Sequence, residues 1–335
     1  MIDFRYHLVS IIAVFFALAV GIVLGAGPLK QGVDETLASQ IPELRAEADR
    51  LRTELNAADA AREYDEAFAA EVAPDLVSNQ LTGTNVLLVA LPGADSDVVS
   101  AVGDQLTAAG ANTEYGIEIN ESWTTSDSES VLEDLATQHV GDQDLLDADA
   151  DGYRRGAMVL ADALLTNETN SGETVDTETV SAYEEQGLLT VNGEAGNAPT
   201  QVVLVAGELP EEGTEEAAAI QAGFTGAFGE VSAGSVLTGG PPTATEPGVL
   251  ASVRADDELR ENTSTVDVAT SSSGRIAVVY AVVEQRAGGQ GAYGIGPDVD
   301  AAVPEVASTS NGNTDDGEPT GDAETGGDGA GNDGG

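Results

Sequence analysis

The 335-residue chain carries 59 Asp and Glu against 12 Lys and Arg, a formal net charge of −47, and it has no cysteine. A surface this anionic repels phosphates and excludes nucleic-acid binding, while the absence of cysteine excludes disulfides, thiolate metal sites and cysteine nucleophiles. The acidity fits either a strongly hydrated surface in a salt-tolerant host or a local role in collecting cations.

The chain begins with an apolar segment, Leu8–Leu29, that has no charged side chain. A helix of this length spans about 33 Å, enough to cross the hydrocarbon core of a bilayer. The apolar region of a signal peptide is shorter, about 7–15 residues, although Gly25-Ala26-Gly27 resembles a cleavage site. We therefore predict an uncleaved, single transmembrane helix over residues 8–29 with the lipid bilayer as its first partner.

Flanking residues suggest the orientation of this helix. Arg5 precedes it and Lys30 follows it, so the cations nearly balance. The short N-terminal segment, residues 1–7, favours an inside N-terminus with a large extracytoplasmic C-terminal part. Gly21 and Gly25 form a small-xxx-small pair, which fits either close helix pairing or ordinary glycine use in a membrane helix.

Residues 33–73 contain apolar residues that alternate in steps of four and three, which is typical of a coiled coil. Pro42 is expected to kink the helix or to begin a new one, and Pro74 to end it. The alternative is an amphipathic helix packed on its own domain. We favour a stalk that forms a homodimer. The predicted oligomer seam consists of Leu37, Ile41, Leu44, Ala48, Leu51, Leu55 and Ala58.

Apolar strands alternate with helices in residues 81–305, which predicts an acidic α/β domain with a Rossmann-like or flavodoxin-like, mainly parallel sheet. The acidic, glycine-rich residues 306–335 are expected to be disordered. The predicted strands are Thr84–Leu91, Thr113–Asn120, Gln201–Gly207, Ser235–Leu237 and Arg275–Glu284. The predicted helices are Asp95–Ala109, Ser126–His139, Gly156–Leu165, Thr177–Leu189 and Thr214–Phe228.

One short stretch resembles a metal loop. Asp147, Asp149, Asp151 and Gly152 match the first half of a calcium-binding loop, in which alternate carboxylates converge on the ion. The twelfth position, where such a loop has Glu, is Met158. The three aspartates are therefore candidate metal ligands, and a solvated acidic turn is the alternative.

The remaining polar patterns do not form an active site. Leu91–Asp95 follows the first strand but lacks the glycine pattern of a phosphate site and is interpreted as a turn. His139 has no serine or aspartate partner at suggestive spacing. The mixed charges of residues 254–261 indicate a solvent face, and Trp123 and Tyr115 are expected in the core or at its edge. We predict a protein that is not an enzyme and uses no cofactor.

The opening block MIDFRYHLVSIIAVFFALAVGIVLGAGPL, residues 1–29, resembles the start of the actinobacterial MctB-type family, named for copper-transport outer-membrane proteins. Gly291–Gly294 resembles a block near the end of the family domain. The resemblance implies a cell-envelope protein of copper homeostasis or efflux, through a pore in one interpretation. A SteB-like branch of the family implies instead a non-catalytic scaffold or regulator of cell division and cell-wall hydrolysis that works by coiled-coil contact.

The residues constrain the copper hypothesis. Copper(I) prefers sulfur and imidazole ligands, and the chain offers only Met1, Met158, His7 and His139, of which just Met1 and His7 are close in sequence. The sequence therefore predicts an envelope protein, in the cell membrane or outer envelope, that acts in copper homeostasis or transport without a dedicated copper cage. The scaffold with an envelope or cell-division protein as partner is the alternative.

Overall fold

The computed structural model describes residues 4–26, 28–141, 143–147, 150–168 and 172–305; the predicted tail, 306–335, lies outside the described residues. Two helices precede a sheet of seven strands with helices on both faces. The helices are α1 Phe4–Ala26, α2 Pro28–Val77, α3 Ser96–Ala108, α4 Ser128–His139, α5 Gly152–Leu164, α6 Thr177–Glu185, α7 Thr214–Val231, α8 Val249–Ala255, α9 Asp257–Asn262 and α10 Ser272–Arg286. The strands are β1 Val86–Ala90, β2 Gly116–Ile119, β3 Leu189–Asn192, β4 Gln201–Val205, β5 Gly234–Thr238, β6 Thr263–Val266 and β7 Ala292–Tyr293.

The strands lie in the order β3-β2-β1-β4-β5-β6-β7, and every neighbouring pair is parallel except β2 with β3. This confirms the predicted α/β class with a mainly parallel sheet. The chain order reverses between β1 and β4, so the connections from these two strands leave on opposite sides. We call this position the switch point.

Helices cover both faces of the sheet, which explains why the central strands read as continuous apolar runs. In β4, Val202 and Leu204 pack into one buried cluster, while Val203 and Val205 pack into the other. The first cluster includes side chains of α4, α5, α7 and α8; the second includes side chains of α2, α3 and α10.

Polar side chains begin several of the helices. Asp95 caps α3 by accepting a hydrogen bond from the Asp97 amide at 2.8 Å. Asp176 and Asp256 cap α6 and α9 in the same way, and Ser271 caps α10. Each of these oxygens satisfies an amide that would otherwise lack a partner at the first helical turn.

One predicted element is wrong, and two predicted helix ends are misplaced. Arg275–Glu284, predicted as a strand, lies within helix α10, because Ser271 provides an N-cap and the apolar run is buried on one side of a 15-residue helix. Periodicity alone does not separate a buried strand from a buried helix. The predicted helix Thr177–Leu189 ends at Glu185, and Leu189 begins the antiparallel edge strand β3. Pro74 does not end α2, which continues to Val77.

Strand β6 has no apolar pattern and was not predicted. All four of its residues are nevertheless buried. The hydroxyl of Ser264 accepts a hydrogen bond from Gln285 Nε2 at 2.9 Å, and that of Thr265 accepts one from Arg254 Nε at 2.9 Å. Partners supplied by α8 and α10 thus allow a polar strand to lie inside the sheet.

Candidate functional sites

Helix α1 contains the one helix segment in the described part of the chain that is long and apolar enough to cross a membrane. The segment is Arg5–Gly25, its mean hydropathy is 2.8, and none of it is buried. A fully exposed apolar helix of this length carries no polar face for water. It is the feature of the structure that fits a bilayer.

The middle of α2 exposes the described residues of the predicted seam. Leu44, Leu51 and Leu55 are 67%, 52% and 60% exposed. Ala58 is also exposed and Ala48 is half-buried, while the side chains of Leu37 and Ile41 lie outside those described. The coiled coil stays a prediction, and the structure adds that Leu44, Leu51 and Leu55 are not covered by other described residues of the chain.

Charged side chains lie beside the exposed leucines. Arg50 pairs with Glu47 and, at 2.8 Å, with Glu54, and Arg52 pairs with Asp49 at 3.2 Å. These pairs join residues three or four positions apart on one helix, so they support α2 itself. Each pair is exposed and contributes little stability by itself.

The C-terminal part of α2 packs on the domain. Ala73 and Val77 are buried, and Val77 joins the apolar cluster that contains Val278 and Val282 of α10. The hydroxyl of Tyr280 donates a hydrogen bond to the Leu76 carbonyl at 2.8 Å. We call this contact between residues 66–77 and α10 the joint.

Glu66 adds a charged contact to the joint. Its carboxylate accepts hydrogen bonds from the Ser272 amide at 2.9 Å and from the Ser272 hydroxyl at 2.6 Å, and Arg275 Nη2 lies 3.5 Å away. Burial alone would raise the pKa of Glu66, but the bonds from Ser272 and the charge of Arg275 outweigh it, so the pKa is lowered. A carboxylate at the start of α10 also suits the helix dipole.

A cleft of about 970 Å³ lies at the carboxyl edge of the sheet, across the switch point. Gly93 follows β1 and Gly207 follows β4, and these two turns touch: Glu208 donates its amide to the Gly93 carbonyl at 3.1 Å. A Cβ on Gly207 would stand 1.8 Å from the Gly93 oxygen, so only glycine permits this approach. The Leu91–Asp95 segment is thus a turn, as predicted, and also one wall of the cleft.

The cleft combines apolar surface with carboxylates. Val98 and Leu209 contribute apolar surface, as do Pro242 and Pro247. Its acidic side chains are Asp95, Glu208 and Glu246, and no lining residue is Lys, Arg or His. Glu208 and Glu246 were not predicted as site residues, because they line the same cleft only through the parallel order of β4 and β5.

Arg254 is buried, which corrects the prediction that it lies on a solvent face. Its guanidinium contacts the Asp267 carboxylate at 2.9 Å and donates to the carbonyls of Pro297 and Tyr293 at 3.0 and 3.1 Å. Asp267 also accepts the amides of Ile295 and Gly296, each at 2.9 Å. Both charged groups are thus paired with each other and hydrogen-bonded to the backbone of residues 293–297. This buried ion pair therefore holds the Tyr293–Pro297 segment against β6.

The Gly291–Gly294 block forms part of the same structure. Gly294 has φ +129° and a Cβ there would stand 1.9 Å from Asp267 Oδ1. The Tyr293 hydroxyl donates a hydrogen bond to Glu284 of α10. The block therefore packs the last strand rather than lining the cleft.

Asp147, Asp149 and Asp151 lie between α4 and α5. Asp151 is the N-cap of α5, where its Oδ1 accepts the Arg154 amide at 2.8 Å, and the Asp147 carbonyl accepts a hydrogen bond from Arg155 Nε at 3.1 Å. Asp149 lies outside the described residues. The metal site stays a prediction, with one of its carboxylates already engaged in capping.

The other predicted residues lie apart from the cleft. Trp123 and Tyr115 are core residues, as expected, and Trp123 stacks on Tyr183 at 5.9 Å. His139 ends α4, where its Nδ1 lies 3.5 Å from Thr179 Oγ1, and Met158 is buried in α5. Within the described ranges, no three His, Cys, Asp or Glu side chains form a group that could hold a metal ion.

Comparison with known proteins identifies the family of the chain. The family described as "Copper transport outer membrane protein, MctB" matches residues 1–304. Proteins named copper transporter MctB from Mycobacterium bovis and Mycobacterium tuberculosis are 30% identical over 313 residues, covering 88% of this chain and 97% of each relative. The copper transporter MctB of Mycobacterium leprae is 27% identical over 308 residues, with the same coverage. The chain belongs to the MctB family.

Proposed function

We propose that this chain is a membrane-anchored cell-envelope protein that takes part in copper transport or copper homeostasis. The observation that carries the proposal is the family match over residues 1–304, which includes α1. The mycobacterial relatives are named as copper transporters and not as enzymes. The exposed apolar helix α1 supports anchoring by a single span. We propose that the short N-terminus lies inside and the remainder outside.

Copper would be a substrate of this protein and not a resident cofactor. Copper(I) sites use thiolate, thioether or imidazole donors, and the chain has no cysteine, two methionines and two histidines. His139 ends α4 and Met158 is buried in α5, and the described residues form no group of three His, Asp or Glu side chains that could hold a metal ion. The donor set therefore does not fit a dedicated copper cage, and we place no copper step on these side chains.

We further propose that the protein works as a homodimer through the seam. Leu44, Leu51 and Leu55 are each more than half exposed. Exposure of this apolar face to water costs free energy, which is recovered when another apolar surface covers it. The same side of α2 is covered by α10 from residue 66 to residue 77. A second copy of α2 would continue that helix-to-helix packing toward α1, and identical seams suit a parallel, symmetric pair.

The strand order supports the finer description of the fold. Without the antiparallel edge strand β3, the parallel strands follow the flavodoxin-like order 2-1-3-4-5, with β7 added as a sixth strand at the edge. We therefore assign the domain to the doubly wound type. In proteins of this type ligands bind at the carboxyl edge of the sheet, which is where the cleft lies.

Deletion of the gene in its host, with complementation by the full chain, tests the copper proposal. We expect the deletion strain to show altered growth at high copper and altered cellular copper measured by mass spectrometry, both restored by the intact chain. Complementation by a chain with two Asp residues in place of Val14 and Leu18 of α1 should fail, because charges at the centre of the span prevent membrane insertion.

Unchanged copper content and copper sensitivity in the deletion strain would contradict the proposal. A change confined to septation or to sensitivity to cell-wall hydrolases would point to the scaffold alternative instead. None of the relatives reported above is named for such a role.

A further inference from the structure

The copper proposal makes no use of the cleft at the switch point. It is formed by the turns that follow β1, β4 and β5 together with Thr270 from the loop after β6. Its volume of about 970 Å³ lies within the range of small-molecule sites, which is roughly 300–1,000 Å³. The question is which class of ligand its chemistry would accept.

Phosphate ligands are disfavoured there. In doubly wound proteins the phosphate lies at the N-terminus of the helix after the first strand. Here the Asp95 carboxylate takes the amide of Asp97 at that place, 2.8 Å away. Helix α7, which begins beside the cleft at Thr214, carries Glu215 and Glu216 in its first turn. The positive ends of both helices therefore already face the protein's own carboxylates.

Two carboxylates of the cleft are free hydrogen-bond acceptors, and a buried acceptor lies outside its lining. Glu208 and Glu246 are exposed in the cleft, and their carboxylates make no hydrogen bond or ion pair within the described part of the chain. Gln221 is buried behind the Leu91–Gly93 wall, where its Nε2 donates to the Pro92 carbonyl at 3.3 Å. Its Oε1 finds no donor among the described residues.

We propose that this cleft binds a small organic cation: a primary ammonium group on an aliphatic body. Each NH₃⁺ supplies three donors to the carboxylates of Glu208 and Glu246, and a charged hydrogen bond of this kind is among the stronger polar contacts. The aliphatic body packs on Val98, Leu209 and Pro242. A divalent metal ion is a poorer match because the described residues include no group of three ligand side chains.

Calorimetric titration of the detergent-solubilised full chain with 1,5-diaminopentane tests the proposal. The titration is done in about 0.15 M salt, where the screening length is about 8 Å and the bulk charge of the protein contributes little. We expect one saturable site on the wild-type chain. The double variant Glu208→Gln, Glu246→Gln should weaken binding about tenfold or more, because two charged hydrogen bonds are lost.

A matched control separates the cleft from general acidity. Asp104→Asn with Glu178→Gln removes the same two charges from exposed positions of α3 and α6 that do not line the cleft. This variant should bind like wild type. Trp123 fluorescence, unchanged in both variants, verifies that they fold.

Three results would overturn the proposal. They are equal weakening in both double variants, absence of saturable binding to the wild-type chain, and competition of the diamine by inorganic phosphate. Copper resistance of the strains plays no part in this readout, so failure here leaves the copper proposal standing and the reverse also holds.

Discussion

Two parts of α2 present the same side of one helix to different surroundings. From residue 66 to residue 77 that side packs on α10, where Val77 is completely buried and Glu66 binds Ser272. In the middle of the helix Leu44, Leu51 and Leu55 are each more than half exposed. An apolar stripe on a helix therefore does not reveal whether the surface that covers it belongs to the same chain.

The stripe also shifts as it passes from one part to the other. The seven-residue pattern extended beyond Ala58 would place Asp65 and Val72 on the seam, whereas the joint uses Glu66, Ala73 and Val77. A straight helix drifts by about 20° per heptad relative to a strict repeat. A shift of one position over these turns is therefore the expected result of packing on a straight partner such as α10.

The largest expected effect is on the packed part. Val77→Asp should lower the free energy of unfolding of the domain by about 4 kcal/mol, since it removes buried apolar area and leaves an unpaired charge in the core. Urea titration followed by the fluorescence of Trp123, the single tryptophan of the chain, measures it. Leu55→Asp is the control in the exposed part and should change this value by less than about 0.5 kcal/mol. Similar losses of unfolding free energy in both variants would contradict the conclusion that only the C-terminal part of α2 packs on the domain.

The next effect concerns the exposed part. Replacing Leu44, Leu51 and Leu55 with Gln should raise the dissociation constant of the proposed dimer at least 100-fold, because the loss of apolar burial exceeds about 2.8 kcal/mol. Sedimentation of the full chain in detergent measures the dimer fraction, and Trp123 fluorescence should show an unchanged domain.

A control for this variant lies on the other side of the helix. Thr53→Gln, Ala57→Gln and Ala60→Gln introduce the same three amides at exposed positions away from the seam. This variant should remain dimeric. Dimers that persist in the leucine variant would show that the chain does not pair through the seam.

A smaller, pH-dependent effect is expected at the joint. Glu66→Gln should cost about 1 kcal/mol at pH 7, a charged hydrogen bond discounted for the partial exposure of the side chain. The pKa of Glu66 is lowered in the folded state. Its contribution is therefore fully present above the unfolded pKa of about 4.3, and it is lost as the pH falls through the lower folded pKa.

Unfolding of wild type and variant between pH 7 and pH 2 checks this prediction. The difference between the two should shrink toward zero at the acid end. Glu71→Gln, an exposed neighbour on α2 for which no partner is seen in the described residues, should have no effect at any pH. A stability difference that grows on acidification would mean that the pKa of Glu66 is raised in the folded state, which would contradict this prediction.

The elements that could be predicted from the sequence are those whose residue pattern is compatible with a single structure. The continuous apolar runs of β1 and β4 require a sheet covered on both faces, and the order of strands and helices then predicts parallel pairing. The exposed leucines of α2 had a visible period. The core positions of Trp123 and Tyr115 follow from the size of their side chains.

It failed where the partner of a residue is distant in the chain. Arg254 has acidic neighbours in sequence and was therefore expected at the surface. Its ion-pair partner is Asp267, which directly follows β6, and both side chains are buried. Strand β6 is polar in sequence because Arg254 and Gln285 satisfy its hydroxyls. The carboxylates of the cleft were missed for the same reason, since Glu208 and Glu246 line one cleft only after the sheet forms.

Disulfide cross-linking tests directly whether two copies of α2 pair through the exposed leucines. The chain has no cysteine, so a single introduced cysteine is the only thiol that can react. Leu51→Cys places thiols opposite each other in a parallel, in-register pair, whereas Thr53→Cys places them on the outer side. In native membranes under mild oxidation, we predict that Leu51→Cys forms disulfide-linked dimers and Thr53→Cys remains monomeric on a non-reducing gel. Equal cross-linking of both variants, or of neither, would contradict a dimer built on the exposed part of α2.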